Sequence, residues 1–288
     1  MKKRTIDVAV ISDVHLGTTG CQAEELIAYL SSIKPSILVL NGDIIDAWNF
    51  RKHYFPPAHV KVLKKILSMA STGTEVYYIT GNHDEMLRRF SGTVVGSFHI
   101  CNKLVLPLDG RKAWIFHGDV FDHSARGTRW LTRLGTYGYG LLLRTNRMIN
   151  WALVRVGREK FSLSGRIKNL GKRGAEQAGN FKKTAAHLAI DNGYDYVVCG
   201  HTHLPEKEWV ESPKGRVLYL NSGDWVENLT SLEYAFKRWK LYRYSEDKLS
   251  PFFADEDLKE MDIDELIASI TDRKDAGTRL KALEDSDE

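Results

Sequence analysis

The chain has 288 residues, of which 43% are hydrophobic, and a formal net charge of +4 at pH 7. That length and composition suffice for one α/β core domain with embellishments. No segment reaches about 18 uninterrupted apolar residues, the length that a membrane-spanning helix needs, so we predict no membrane span. The three cysteines, Cys21, Cys101 and Cys199, lack the spacing of a metal site. Their odd number favours reduced thiols in a cytoplasmic compartment.

Five short apolar runs, rich in β-branched and aromatic residues, are predicted to form buried strands. They occupy residues 6–11, 37–40, 76–79, 113–116 and 194–199. Polar side chains follow each run within a few residues: Asp13 and His15, Asp43, Asn82 and His83, His117, and finally His201 and His203. Loops at the carboxyl ends of neighbouring strands in an α/β sheet converge on one crevice, so we expect these side chains to meet there.

Seven of these side chains offer the donors that a pair of divalent cations requires: Asp13, His15, Asp43, Asn82, His117, His201 and His203. Two cations roughly 3.5–4 Å apart polarise phosphoryl oxygens and lower the pKa of a bound water. Mixed oxygen and imidazole donors suit Mn, Fe, Co or Zn better than Mg or Ca, and we expect two Mn²⁺ ions. A single Asp or His after a strand is more often a helix cap or a solvated loop residue, so the prediction depends on all seven together.

The same segments resemble the five metal-site blocks of the calcineurin-like metallophosphoesterases. The blocks are Asp13-Val14-His15, Gly42-Asp43-Ile44-Ile45-Asp46, Gly81-Asn82-His83-Asp84, His117-Gly118-Asp119 and Gly200-His201-Thr202-His203. A lone Gly-Asp or Gly-His pair carries no information, whereas five blocks in order do. The resemblance implies an α/β fold, a four-layer α/β/β/α sandwich with a helical cap insertion.

The resemblance also implies a role for each residue. One metal ion is held by Asp13, His15, Asp43 and His203, and the other by Asp43, Asn82, His117 and His201. The Asp43 carboxylate is therefore the bridge. His83 and Asp46 are the implied catalytic pair: Asp46 orients His83, whose imidazolium stabilises the phosphate or protonates the leaving oxygen.

Charge divides the chain into three parts. Residues 124–187 contain fourteen Lys or Arg against two glutamates, and residues 255–288 contain thirteen acids against five bases. We predict a discontinuous core at 1–123 and 188–250, a basic amphipathic helical cap at 124–187, and an acidic, partly disordered tail at 251–288. A basic helix with excess apolar surface, as at 141–156, is typical of a membrane-interface or acyl-chain-binding element. A cap that only packs on the core is the alternative.

A narrower resemblance is to the UDP-2,3-diacylglucosamine pyrophosphatases of lipid A synthesis, which carry a helical cap between the same two blocks. It implies substrate contacts at Asn180, Lys182 and Lys183, and more loosely at Arg158. Asp122 and His123 follow closely on His117 and are further candidates for substrate binding. One departure is plain, because the best-known members have arginine where this chain has His83.

The expected reaction is hydrolysis of UDP-2,3-diacylglucosamine to UMP and 2,3-diacylglucosamine 1-phosphate. We expect a nucleotide-linked amphipathic lipid as substrate, no nucleic acid partner, and a cytoplasmic protein that is peripheral on the inner membrane through its cap. The alternatives are a metallophosphoesterase for another nucleotide or lipid diphosphate, a protein phosphatase, a nuclease that stacks bases on cap aromatics, and a non-catalytic binding module. Residues 221–224 are either a late active-site loop or a plain turn.

Overall fold

The computed structural model describes residues 3–48, 54–121 and 172–247, with the backbone alone at 172–177. Within these ranges the chain forms two β-sheets. The first contains β1 (Arg4–Ile11), β2 (Ile33–Asn41), β3 (Glu75–Ile79), β4 (Val94–Val95), β5 (Phe98–Cys101), β11 (Thr230–Ala235) and β12 (Arg238–Arg243). The second contains β6 (Lys103–Leu108), β7 (Arg111–Phe116), β8 (Tyr196–Cys199), β9 (Glu206–Ser212) and β10 (Gly215–Asn221).

Each sheet has a parallel centre and antiparallel edges. The order in the first sheet is β12-β11-β1-β2-β3-β5-β4, and β1, β2, β3 and β5 run parallel. The order in the second is β6-β7-β8-β10-β9, and β7, β8 and β10 run parallel. The predicted buried strands are confirmed, although β8 begins two residues later than the apolar run at 194.

Both faces of the central strands are buried, which explains why their sequences are continuously apolar. In β2, Leu38 and Leu40 pack in the cluster with the helices, whereas Val39 packs in the cluster between the two sheets. The helices α1 (Ala23–Ser32) and α2 (Pro57–Ser71) cover the outer face of the first sheet. Proline at the first helical position suits the start of α2. Proline lacks a backbone N–H, and an N–H at this position would have no partner within the helix.

A third helix, α3 (Lys172–Asp191), covers the outer face of the second sheet. Phe181, Ala185, Ala186 and Ala189 recur on one side of the helix and pack against β8 and β10. The result is the four-layer α/β/β/α sandwich expected from the resemblance. No helix of these ranges is both long enough and apolar enough to cross a bilayer.

The expected cap and tail fall largely outside the described residues, which stop at 121, resume at 172 and end at 247. The expected boundary between cap and core, at residues 187 and 188, lies inside α3. Residues on both sides of that position, Ala186 and Ala189, pack on the second sheet.

Candidate metal centre

All the candidate ligands lie at the carboxyl ends of parallel strands. Asp13 and His15 follow β1, Asp43 follows β2, and Asn82 follows β3 in the first sheet. In the second sheet, His117 follows β7, and His201 and His203 follow β8. The two sheets present these ends to the same side of the sandwich, so the loops meet there as predicted from the strand pattern.

The ligand atoms form three overlapping clusters, and within each the atoms lie within 4.8 Å of one another. The clusters are Asp13, His15 and His203; His15, Asp43 and His83; and Asp43, His117 and His201. His203 Nε2 is 3.1 Å from Asp13 Oδ1, and His117 Nε2 is 3.3 Å from Asp43 Oδ2. Asp43 belongs to two clusters, which is the arrangement that a bridging carboxylate needs.

The backbone at this site is strained. Five candidate ligands adopt the left-handed conformation that favours glycine, with φ between 53° and 64°: Asp13, His15, Asp43, His201 and His203. They make up five of the nine non-glycine residues with positive φ in the described residues. Such strain costs of order 1–3 kcal/mol per residue and persists only where the surroundings enforce it. The loops therefore hold these side chains at a cost to stability.

Two glycines permit the close approach of the loops. A Cβ on Gly81 would lie 2.2 Å from Asp43 Oδ1, and a Cβ on Gly42 would lie 2.3 Å from His117 Nδ1. Gly42 also has φ of +80°, where an L side chain is disfavoured. The glycines in the motifs are thus explained by space as well as by turn geometry.

Two of the imidazoles are oriented through their Nδ1 atoms. His15 Nδ1 donates to Asp46 Oδ2 at 3.0 Å, and His117 Nδ1 donates to the carbonyl oxygen of Asn41 at 2.9 Å. A ring that donates through Nδ1 leaves the Nε2 lone pair for a metal ion. In both residues Nε2 faces the centre, so the protein fixes the tautomer that metal binding requires.

His83 lies between the centre and the surface. Its Nδ1 is 3.0 Å from Asp46 Oδ1, its Nε2 is 4.0 Å from Asp43 Oδ2, and its backbone N–H donates to Asp43 Oδ1 at 2.8 Å. The half-exposed indole of Trp48 covers its outer face, with ring centroids 4.6 Å apart. Asp46 therefore contacts His83, as the resemblance implied, and also His15, which the sequence did not indicate.

Opposite charges set the electrostatics of the site. Burial alone raises the pKa of a carboxyl group, but the neighbouring imidazoles outweigh it. His203 lowers the pKa of Asp13 to about 2, and His117 holds the pKa of Asp43 well below its usual range. Burial likewise opposes the charge on His117, yet the Asp43 carboxylate raises its pKa to about 10. A divalent cation supplies the same positive charge, so its binding would release this proton.

The side chains fit the pair of divalent cations that the resemblance implies. Three ligand atoms, Asp13 Oδ1, Asn82 Oδ1 and His117 Nε2, are among the buried polar atoms that have no hydrogen-bond partner in the described residues. Leaving such atoms unsatisfied costs about 1–3 kcal/mol each. All three belong to predicted ligands, and their oxygen and imidazole chemistry suits divalent first-row metals.

Sequence reasoning missed residues that hold the loops together. Asp84 is buried and accepts hydrogen bonds from Gly81 N at 2.6 Å, Ile44 N at 3.0 Å and the Tyr78 hydroxyl at 2.6 Å. It thereby fixes the loop after β2 to the loop after β3. Its place in the Gly-Asn-His-Asp block was the available signal, but a motif does not show which amides a carboxylate accepts from.

The late loop is more than a plain turn. Ser222 Oγ is 2.7 Å from Ser12 Oγ, and Asn221 Nδ2 donates to the carbonyl oxygen of Gly200 at 2.8 Å. Trp225 N donates to the carbonyl oxygen of Asp13 at 3.1 Å. Residues 221–225 therefore support the loops after β1 and β8.

The candidate substrate contacts are only partly described. Asp122, His123 and Arg158 lie outside the described residues. Lys182 is engaged with Glu206 and Glu208, at 2.7 Å from Glu206 Oε1, so a substrate anion would have to compete with both carboxylates. Asn180 and Lys183 are exposed on α3 beside Phe181, whose ring centroid is 6.4 Å from that of His201.

Comparison with known proteins identifies relatives across most of the chain. A family model described as calcineurin-like phosphoesterase matches residues 6–205. The UDP-2,3-diacylglucosamine hydrolase of Aliivibrio fischeri (strain MJ11) is 23% identical over 250 residues, covering 82% of this chain and 98% of that protein. The protein of the same name from Ralstonia nicotianae is 26% identical over 246 residues, covering 75% and 90%.

Solved structures are similar at lower identity. A dimetal phosphatase from Danio rerio is 12% identical and aligns over 82% of this chain and 95% of that chain, with a TM-score of 0.40.

Proposed function

We propose that this chain cleaves the pyrophosphate of UDP-2,3-diacylglucosamine. The chain belongs to the calcineurin-like phosphoesterase family and is a metallophosphoesterase hydrolase. The products are UMP and 2,3-diacylglucosamine 1-phosphate. The names of relatives that match over 90% or more of their length support this substrate. The observation that carries the reaction type is the overlap of three clusters of ligand atoms: Asp43 belongs to two of them, with His15 and His83 and with His117 and His201, and His15 joins the third, with Asp13 and His203.

The proposed cation ligands divide into two sets that share Asp43. Asp13, His15 and His203 complete one set, and Asn82, His117 and His201 complete the other; we favour Mn²⁺. When bound, the cations neutralise the phosphoryl oxygens and make a nucleophile available at neutral pH. The protein contributes fixed tautomers and a rigid arrangement of donors, which lowers the cost of ordering the site.

His83 is the proposed acid. Its Nε2 faces the centre while Asp46 holds Nδ1, and burial is outweighed by Asp46 and Asp43, which raise the pKa of its imidazole. In the proposed step the water oxygen releases a proton to solvent and forms a bond to one phosphorus, and the bond from that phosphorus to the bridging oxygen breaks. The bridging oxygen leaves with the other phosphate, and His83 donates a proton or a hydrogen bond to it.

The proposed substrate also indicates the location of the reaction in the cell. A diacylated substrate enters from a lipid surface, so we place the reaction at the cytoplasmic face of the inner membrane. The basic cap at 124–187, which the structure describes only from residue 172 onward, is the proposed contact with lipid.

A turnover panel tests this function. The purified protein with Mn²⁺ is offered UDP-2,3-diacylglucosamine, a simple nucleotide diphosphate, a phosphopeptide and single-stranded DNA, and kcat/KM is measured for each. We expect the lipid-linked nucleotide to give the highest value and Asp43→Ala and Asn82→Ala to remove it. Asp191→Asn, an exposed carboxylate paired with Lys214, is the control and should match the wild type.

Other outcomes of the panel would overturn the proposal. Preference for the phosphopeptide or DNA would replace the substrate while keeping the metal chemistry. Full activity in the Asp43→Ala protein would remove the mechanism.

A further inference from the structure

The loop after β10 contains a buried carboxylate that has no part in the proposed reaction. Asp224 is 0% exposed. Its Oδ1 accepts hydrogen bonds from the backbone N–H groups of Val226 at 2.9 Å and Asn228 at 3.1 Å. Its Oδ2 accepts from the Asn228 side chain at 2.5 Å and lies 3.8 Å from His203 Nδ1. The carboxylate is therefore rigidly held, and its second oxygen faces a candidate ligand.

Asn228 completes the arrangement. The same Nδ2 that donates to Asp224 also donates to the carbonyl oxygen of His203 at 2.9 Å. His203 is thus approached at two points, at its backbone by Asn228 and at its ring by Asp224. We call these two residues the His203 clamp.

His203 needs such support more than the other candidate imidazoles. Its backbone is left-handed, with φ of 56°, and its side chain is 19% exposed, against 9% for His15 and 0% for His117. Packing alone therefore fixes its ring less firmly. Its Nε2 nevertheless has to lie beside the other ligand atoms of the site. It is 3.1 Å from Asp13 Oδ1 and 3.4 Å from His15 Nε2.

We propose that Asp224 and Asn228 are positioning residues for His203, and that the His203 clamp sets the affinity of one cation site without setting that of the other. A carboxylate behind a histidine favours the Nδ1–H tautomer and leaves the Nε2 lone pair for the metal. The affected site is the one formed by Asp13, His15 and His203. The inference rests on the proposed pair of cations, but not on the identity of the substrate.

The second site has separate supports. His117 is oriented by the carbonyl oxygen of Asn41, and the described structure gives Asp224 no contact with His117. Weakening the His203 clamp should therefore change one of two binding events. A general loss of packing would weaken both sites.

Cation titration without substrate tests the proposal. Mn²⁺ binding to the full chain is followed by calorimetry for wild type, Asp224→Asn, Asn228→Ala and the control Asp109→Asn, which lies in a hairpin away from the site. We expect two sites in the wild type and in the control. In the two clamp variants, one site should bind about 10- to 100-fold more weakly while the other is unchanged.

A double-mutant cycle separates positioning from structural damage. If Asp224 acts through His203, adding Asp224→Asn to His203→Ala should weaken binding no further. Equal weakening of both sites, a further loss in the His203→Ala background, or unchanged binding in Asp224→Asn would each overturn the inference. A wild-type protein that binds no Mn²⁺ would overturn both the inference and the proposed function. Selective weakening without turnover of the lipid would leave the inference standing and reject only the substrate.

Discussion

The two ends of the β-sandwich use left-handed backbone for different purposes. At the carboxyl ends of the parallel strands, five such residues are candidate ligands, including Asp43 with φ of 53°. At the opposite end, Asp109 with φ of 51° lies between β6 and β7, and Phe236 and Lys237, with φ of 53° and 59°, connect β11 and β12. The backbone conformations are alike, whereas the surroundings differ.

The strained backbone serves chain reversal at the hairpin end and ligand placement at the end with the candidate metal centre. The hairpins need left-handed residues to reverse direction, and asparagine or glycine would serve there as well or better. The site needs the carboxylates and imidazoles themselves, although glycine would form the same loops with less backbone strain. Changes at the site should therefore remove function, whereas matched changes at the hairpin end should alter stability alone.

The largest expected effect separates two left-handed aspartates. Asp43→Asn should lower kcat/KM by at least about 10³-fold, because several kcal/mol of charge stabilisation depend on the shared carboxylate. Asp109→Asn should keep full activity, since asparagine tolerates this backbone. Steady-state kinetics with Mn²⁺ measure both. Equal activity in the two variants would end the distinction between the two ends.

His83→Gln should lower kcat by about 10²-fold with little change in KM, because it removes the proposed acid. The cluster of His15, Asp43 and His83 would also permit His83 to bind a metal ion. Counting bound Mn²⁺ in the variant decides between the two roles. Two ions support the acid, and the loss of one would reassign His83 as a ligand.

Two glycines with the same φ of +80° sharpen the comparison further. A Cβ at Gly42 would collide with His117, whereas a Cβ at Gly110 would meet nothing within 4 Å. Both alanine variants should lose about 1 kcal/mol of stability from backbone strain, measured by urea unfolding. Only Gly42→Ala should also lose activity, by about tenfold or more, because displaced ligands bind metal less well. Equal losses of activity in Gly42→Ala and Gly110→Ala would mean that the contact of the new Cβ with His117 does not impair the site.

The smallest expected effect is a gain. Replacing Phe236 and Lys237 by Asn and Gly suits a hairpin turn that needs positive φ at both positions. It also removes the aromatic ring of Phe236, which is 87% exposed. Thermal unfolding should shift upward by about 2–4 °C, as expected for about 1 kcal/mol in a chain of this size. Activity should stay the same, and a fall in both would show that this hairpin supports the site.

The predicted strands and ligand positions depended on local signals. Continuous apolar runs identify strands that are buried on both faces, and the polar residues after them identify the edge where loops meet. Those signals sufficed to bring Asp13, Asp43 and His117 to one place. They also explain why the five blocks were recognised together.

What the sequence did not reveal depends on contacts across long separations. The second contact of Asp46, with His15, requires knowing which loop lies beside each carboxylate oxygen. The His203 clamp likewise depends on contacts between residues that are far apart in the sequence, Asp224 and Asn228 with His203. Left-handed backbone was also hidden, because aspartate and histidine indicate it much less specifically than glycine does. The boundary expected between residues 187 and 188 lies inside α3, since charge does not show where an amphipathic helix begins to pack.

The central claim is that two cations share the carboxylate of Asp43. Anomalous diffraction from crystals grown with Mn²⁺ tests it most directly. We predict two peaks roughly 3.5–4 Å apart, with one oxygen or both oxygens of Asp43 between them, His203 beside one peak and His117 beside the other. A single peak, or two peaks that do not share Asp43, would contradict this account.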